Sequence, residues 1–290
     1  MKQLLITLAI ALIGCQTEKP ETNIDFHITV FNCDNQVDSI GFSNWKKTHL
    51  SIPDNLNKDT LFSQDTIPVG VLNYSDDQYL VYGYCAGEFG GALMFQDKDS
   101  KDSIYYLQST CPVMIDKRED GYYVTASLAH MVGFGKVQYL KTPRELVCVH
   151  LDSLSTKWES RMFPNLTGHE LWKQLENQGT VLIDTTGLTF SMFFQNNNEN
   201  YLIFSDNQNT YLGRLADEKL HTIDTLVNLP TSRSNDLLND KVNGYYHHNF
   251  KRKSSLSNGE AKITTVLSGD IYAKGNSIVI GYSNIKTTEN

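Results

Sequence analysis

The chain has 290 residues, 40% hydrophobic and 20% charged, with 33 acidic against 25 basic side chains and a formal net charge of −8 at pH 7. That balance excludes a nucleic-acid binder, because phosphate repels an acidic surface unless a local basic patch intervenes. The obvious basic run, Lys251-Arg252-Lys253, reads as a solvated hairpin. Beyond the first fifteen residues no stretch is long and apolar enough to span a membrane as a helix.

At the N-terminus Lys2 precedes an apolar run from Leu4 to Ile13 that closes on Leu12-Ile13-Gly14-Cys15. A charged start and a short apolar middle read as a signal peptide, too short for a lasting transmembrane helix. The closing four residues resemble the lipobox of bacterial lipoproteins, which is cut by the lipoprotein signal peptidase. The resemblance implies that residues 1–14 are removed and that Cys15 becomes the first residue, carrying a diacylglyceryl group and palmitate-type acyl chains. One acyl chain holds a protein only marginally on a bilayer, whereas two anchor it stably. Residues 15–24 are polar and aperiodic and read as a lipidated flexible tether. The expected location is the cell envelope, facing the periplasm or the cell surface.

Residues 25–290 show no Pro- or Gly-rich linker and read as one domain. Taken in chain order, residues 26–31, 66–72, 79–82, 92–95, 104–107 and 146–149 are short runs rich in β-branched and aromatic residues, as strands are. Asp120-Gly121, Asn243-Gly244 and Asn258-Gly259 suit type I′ hairpins, whose two central residues take positive φ. One short helix is expected at Gly168–Glu176, where Thr167 and Glu170 are spaced as a capping box and Gly179 follows. A second is expected from Asn235 to Lys241.

A polar turn followed by an aromatic or small residue and then aliphatics recurs around Tyr79, Tyr122, Tyr201, Tyr245 and Ser277, in steps of 43, 79, 44 and 32 residues. Steps near one or two multiples of about forty are what propeller blades give. The fold expected is therefore all-β, a β-propeller of about six blades, with five to seven admissible and a β-sandwich as the alternative. On that resemblance the mature chain looks like a propeller-type lipoprotein.

Seven tripeptides share Asp, then Ser or Thr, then an aliphatic residue or Thr, beginning at Asp38, Asp59, Asp65, Asp102, Asp152, Asp184 and Asp224. Average usage gives about one or two in such a length. A structural account makes each a turn-to-strand edge, with Asp closing an Asx-turn. The tripeptide also resembles the general O-glycosylation site of one large group of Gram-negative bacteria.

Beyond Cys15 there are four cysteines, Cys33, Cys85, Cys111 and Cys148, whose spacing matches no zinc or redox motif. An oxidising compartment would allow one or two disulfides, Cys85 with Cys111 first by the shortest gap; buried free thiols are the other reading.

Catalytic signatures fail one by one. His169-Glu170 begins like a zinc-protease motif, but Lys173 stands where the second His belongs. The acidic stretch Asp97–Asp102 lacks the Gly and closing Glu of a calcium loop and reads as a hairpin tip. His247 and His248 adjoin on a strand and point to opposite faces, so they do not clasp one metal.

Two glycine-flanked segments remain, one carrying Glu88 and the other Ser127 and His130. A Glu and a His brought together can move protons or hold a ligand. No cofactor or metal is called for. The expected role is a binding or assembly platform, with membrane lipid as one partner and an envelope protein or glycan as another; the alternative is a polysaccharide hydrolase with its site in the propeller mouth.

Overall fold

A computed structural model describes residues 24–50, 71–85, 87–130, 132–150, 178–231, 239–257 and 262–289. The expected helix at 168–176 lies outside these residues, as do the hairpin at 258–259 and the tripeptides at 59, 65 and 152.

The chain enters through β1 (His27–Asn32) and helix α1 (Gln36–Leu50), then builds sheets in order. The first sheet is β2 (Val71–Ser75), β3 (Tyr79–Cys85), β4 (Gly91–Asp97) and β5 (Ser103–Gln108). The second is β6 (Pro112–Arg118), β7 (Gly121–Leu128) and β8 (Phe134–Leu140); the next strand, β9 (Val147–His150), leaves it to pair with β5, and β10 (Thr180–Thr186) returns to pair with β8. The third is β11 (Thr189–Asn196), β12 (Glu199–Ser205), β13 (Thr210–Ala216) and β14 (Lys219–Val227). The fourth is β15 (Asn239–Val242), β16 (Tyr245–Ser257), β17 (Lys262–Lys274) and β18 (Ser277–Glu289), and β1 pairs in parallel along β18 from His27 to Asn32. Every other pairing is antiparallel. The protein is all-β.

The described strands thus form four sheets where six had been expected. The recurring signal falls on the hairpin joining the first and second strands of each sheet, since Tyr79, Tyr122, Tyr201 and Tyr245 all lie at the start of a second strand. The 79-residue step holds one sheet boundary, not two, because it also carries β9 and residues 151–177. Ser277 opens a fourth strand and marks no new sheet.

Apolar side chains pack between successive sheets. Val81, Phe95 and Leu107 of the first meet Ile115, Val124 and Leu140 of the second. Val137 of the second meets Phe190, Phe193 and Leu202 of the third. Met192, Phe194 and Ile203 of the third meet Phe250, Ile271 and Ile280 of the fourth. Each such aliphatic or aromatic side chain removed from water stabilises the fold by about 1.5–3 kcal/mol.

Helix α1, with no counterpart in the sequence reading, starts where the Asn35 side chain accepts from the Asp38 amide. Phe42 and Leu50 are buried, and Phe42 and Trp45 pack on Tyr272. Gly281 leaves room for the Phe42 ring. Tertiary burial of these two aromatics, and no strong helical periodicity, holds the helix.

Three local expectations change. Residues 239–241 of the expected second helix lie in β15. Asn243 and Gly244, at φ 51 and 78, make the expected type I′ turn. In the other hairpin Arg118 pairs with Gly121, so Glu119 and Asp120 are the turn and Gly121, at φ 150, opens the strand. Among the tripeptides described, Asp102 alone stands at a strand entrance, and there Asp97 accepts the turn's amides: Asp38 is in the first turn of α1, Asp184 near the end of β10, and Asp224 inside β14.

Candidate functional site

The two glycine-flanked segments do meet. Glu88, on a short 3-10 turn after β3, and His130, after β7, approach to 3.4 Å between Oε2 and Nδ1, with side chains 51% and 57% exposed. A disulfide joins Cys85 at the end of β3 to Cys111 just before β6, which holds these two sheet ends together. Ser127 does not join them in a nucleophilic arrangement, because its buried hydroxyl accepts the Phe190 amide of the third sheet at 2.9 Å. Cys33 and Cys148 are free, the first half-buried and the second exposed. Burial raises the Cys33 thiol, and nearby Asp38 and Asp34 reinforce this against Lys46.

At the opposite end, the hairpins between first and second strands bring together a polar cluster that the sequence reading missed. Tyr122 donates to Asp76 Oδ2 at 2.6 Å, and Lys117 reaches Asp76 at 3.2 Å and Asp77 at 2.7 Å. Arg118 Nε donates to Asp116 Oδ2 at 2.7 Å and Nη1 to Asn200 Oδ1 at 2.8 Å. Tyr246 donates to the same Asp116 oxygen at 3.1 Å. The Arg118 guanidinium lies 3.9 Å from the Tyr123 ring centre and 4.9 Å from that of Phe193, a stacked geometry that suits a planar cation. Asp76 of the first sheet joins Lys117 and Tyr122 of the second, and on the other face of β6 Asp116 and Arg118 join Asn200 of the third and Tyr246 of the fourth, so these two groups between them tie all four sheets.

Electrostatics in the cluster run one way. Burial by itself would raise the Asp76 carboxyl, but bonds from Tyr122, from the Tyr79 and Gln78 amides and from Lys117 outweigh it and hold it below the usual range. Burial and the Asp76 carboxylate push the Tyr122 phenol far up, and burial with the charges of Asp76, Asp116 and Asp77 does the same to Tyr74. Burial and the bond to Asp120 lift Tyr123 to about 12. Tyr122 and Tyr123 donate from these phenols, and a raised phenol stays protonated at neutral pH.

The remaining candidates separate as the strand geometry demands. His248 is fully buried against the Thr231 carbonyl, while His247 on the other face bonds Asp270 at 2.9 Å and stacks on Tyr272. The reading of residues 97–102 as a solvated hairpin tip holds for 98–102, which are exposed between β4 and β5, and fails at Asp97. Asp97 is buried, its Oδ1 accepts the Asp99 and Ser100 amides, and Arg144 pairs with it at 3.2 Å. Asp76 and Asp206 close their hairpins with the same pair of amide bonds. A recurring Asp three residues before a turn's end was the available signal, and it identifies hairpin anchors.

No group of three or more His, Cys, Asp or Glu placed to hold a metal occurs among the described residues, and no helix there is long and apolar enough to cross a membrane. No protein family, curated protein or solved structure matches the chain.

Proposed function

We propose that this protein is a lipoprotein of the bacterial cell envelope, anchored through Cys15, whose mature domain is a four-bladed β-propeller serving as a binding or assembly platform. The signal-like N-terminus and its closing Leu-Ile-Gly-Cys support the anchor. The propeller reading is supported by four sheets built in chain order, each packed on the next, with polar bonds near their first hairpins crossing from sheet to sheet. Parallel addition of β1 to the fourth sheet fits a ring fastened by its N-terminal strand.

The observation that carries binding over catalysis is that the carboxylates of this polar surface are held by fixed donors, Asp76 by Tyr122, Lys117 and two amides, and Asp116 by Arg118 and Tyr246. Where a shift is resolved among the described carboxyls, at Asp76, Asp77, Asp97, Asp206 and Asp270, its direction is downward. A glycoside hydrolase needs one carboxyl raised, so that it carries a proton to the leaving group. Carboxylates fixed by amides, phenols and cations make a rigid surface and poor acids.

Two measurements test this. Palmitate labelling of the full chain should be lost in Cys15→Ser. Purified mature protein incubated with envelope and plant polysaccharides should release no reducing sugar. Release that disappears in Glu88→Gln or Asp116→Asn would replace the platform by a hydrolase.

A further inference from the structure

We propose that His130 and Glu88 are two of the ligands of a solvent-open site for a divalent transition-metal ion of the zinc class, His130 through Nδ1 and Glu88 through Oε2, with water in the remaining positions. Nothing in this depends on acylation of Cys15 or on how the four sheets close, and it departs from the sequence reading, which called for no metal.

Distance singles this pair out. A charge-assisted bond between an imidazole and a carboxylate closes to about 2.7–2.9 Å. His247 and Asp270 make such a bond at 2.9 Å, and there Asn249 adds a second donor to Asp270 and Tyr272 stacks on the imidazole. Glu88 and His130 stop at 3.4 Å, although both side chains are more than half exposed and neither has another polar partner among the described residues. Two ligands each about 2.1 Å from an ion and set at the tetrahedral angle lie about 3.4 Å apart. The separation is long for a hydrogen bond and matches the edge of a zinc tetrahedron.

Local structure holds that spacing. Glu88 lies on a short 3-10 turn that the Gly90 amide closes on the Gly87 carbonyl at 3.1 Å. The Gly133 amide closes the turn at His130 in the same way, at 3.0 Å. Both loops are then fixed to Cys111. The first is held through the disulfide from Cys85, and the second through the Ser127 amide, which donates to the Cys111 carbonyl at 3.0 Å. Ligands placed before the ion arrives lose little entropy in binding it.

The donor set selects the ion. Imidazole nitrogen suits zinc, copper and nickel, whereas calcium and magnesium take oxygen, and a tetrahedral edge points to zinc. No Lys or Arg among the described residues pairs with Glu88, so its carboxylate is open to a cation. An ion with protein ligands on one side only keeps exchangeable water on the other, where a further ligand from outside the chain can enter.

The test is calorimetric titration of zinc alone into the chelator-stripped full chain, with the imidazole resonances of His130 followed by NMR. A single saturable site is expected, with the His130 signals shifting as it fills and with excess calcium or magnesium failing to displace the zinc. Affinity should fall by about tenfold or more in His130→Ala and in Glu88→Gln, and stay as it was in His221→Ala, which removes an exposed histidine of β14. Both ligand side chains are exposed, so circular dichroism should show the fold kept in each variant. Absence of saturable binding, binding that survives either ligand substitution, or displacement by calcium overturns the inference, whether or not Cys15 carries acyl groups.

Discussion

Asp116→Ala should be among the most damaging single changes to this fold. Asp116 is 1% exposed and accepts from Arg118 Nε at 2.7 Å and from the Tyr246 hydroxyl at 3.1 Å. Truncation leaves the Arg118 guanidinium, on a side chain 9% exposed, without that counter-charge. Breaking a buried ion pair from one side costs about 3–5 kcal/mol, because a charge then stays uncompensated in a medium of low dielectric. The phenol bond contributes about 1.5–3 kcal/mol by itself but overlaps that loss, so about 4 kcal/mol is expected overall.

For a domain of this size about 2–4 °C accompanies each kcal/mol, which puts the fall in Tm at about 8–16 °C. Thermal and urea unfolding, followed by circular dichroism and tryptophan fluorescence, reads the change directly. Asp77→Ala, which removes an exposed partner of Lys117, should leave the midpoint where it was. Asp116→Leu combined with Arg118→Met should recover most of the loss, since apolar groups of similar volume replace a buried pair at little cost. A loss below about 1 kcal/mol for Asp116→Ala, or a double variant as unstable as the sum of its parts, would refute the reasoning.

Acid should weaken the fold through the depressed carboxyls Asp76, Asp97, Asp206 and Asp270. Unfolded aspartates take up protons near pH 3.9, roughly, so the contribution is complete above about pH 5 and drains as pH falls through the lower folded values. A urea midpoint that stays flat from neutral pH to about 3 would contradict this. Cys85→Ser opens a loop closed across 26 residues, and the chain-entropy relation puts the loss at about 3.5 kcal/mol, measurable as a lower urea midpoint that reducing agent no longer changes. Gly281→Ala sets a methyl into the Phe42 ring and should free α1 from the fourth sheet, seen as a shift in Trp45 fluorescence with the strand signal largely kept.

Much of the local structure was legible because its causes are local. Strands at 79–82, 92–95 and 104–107 follow from β-branched and aromatic runs, and they lie within β3, β4 and β5. The turn at Asn243-Gly244 follows from residues that tolerate positive φ. The division of His247 from His248, and of Tyr245 on α1 from Tyr246 on Asp116, follows from the two-residue period of a strand. Helix α1 was not legible, since its apolar face is little more than Phe42, Trp45 and Leu50, and its docking depends on a glycine more than 200 residues away in sequence. Asp38 was misread for the same reason: an Asp-Ser pair suits a strand entrance and a helix first turn equally.

The amino-acid sequence alone determined an acidic, all-β chain behind a signal-like N-terminus, with one strand-to-strand hairpin per recurring tyrosine. Only the tertiary structure decided how many sheets those hairpins make, because β1 and β9 join sheets other than those of their chain neighbours and no local pattern encodes a long-range edge. It also decided where the charges go. Asp116, Arg118, Asn200 and Tyr246 are separated by up to 130 residues in the chain and look like ordinary hairpin polar residues until three sheets place them in one hydrogen-bonded cluster. Hairpin closure is a contact between near neighbours, whereas that cluster exists only after those sheets have paid the entropy of coming together.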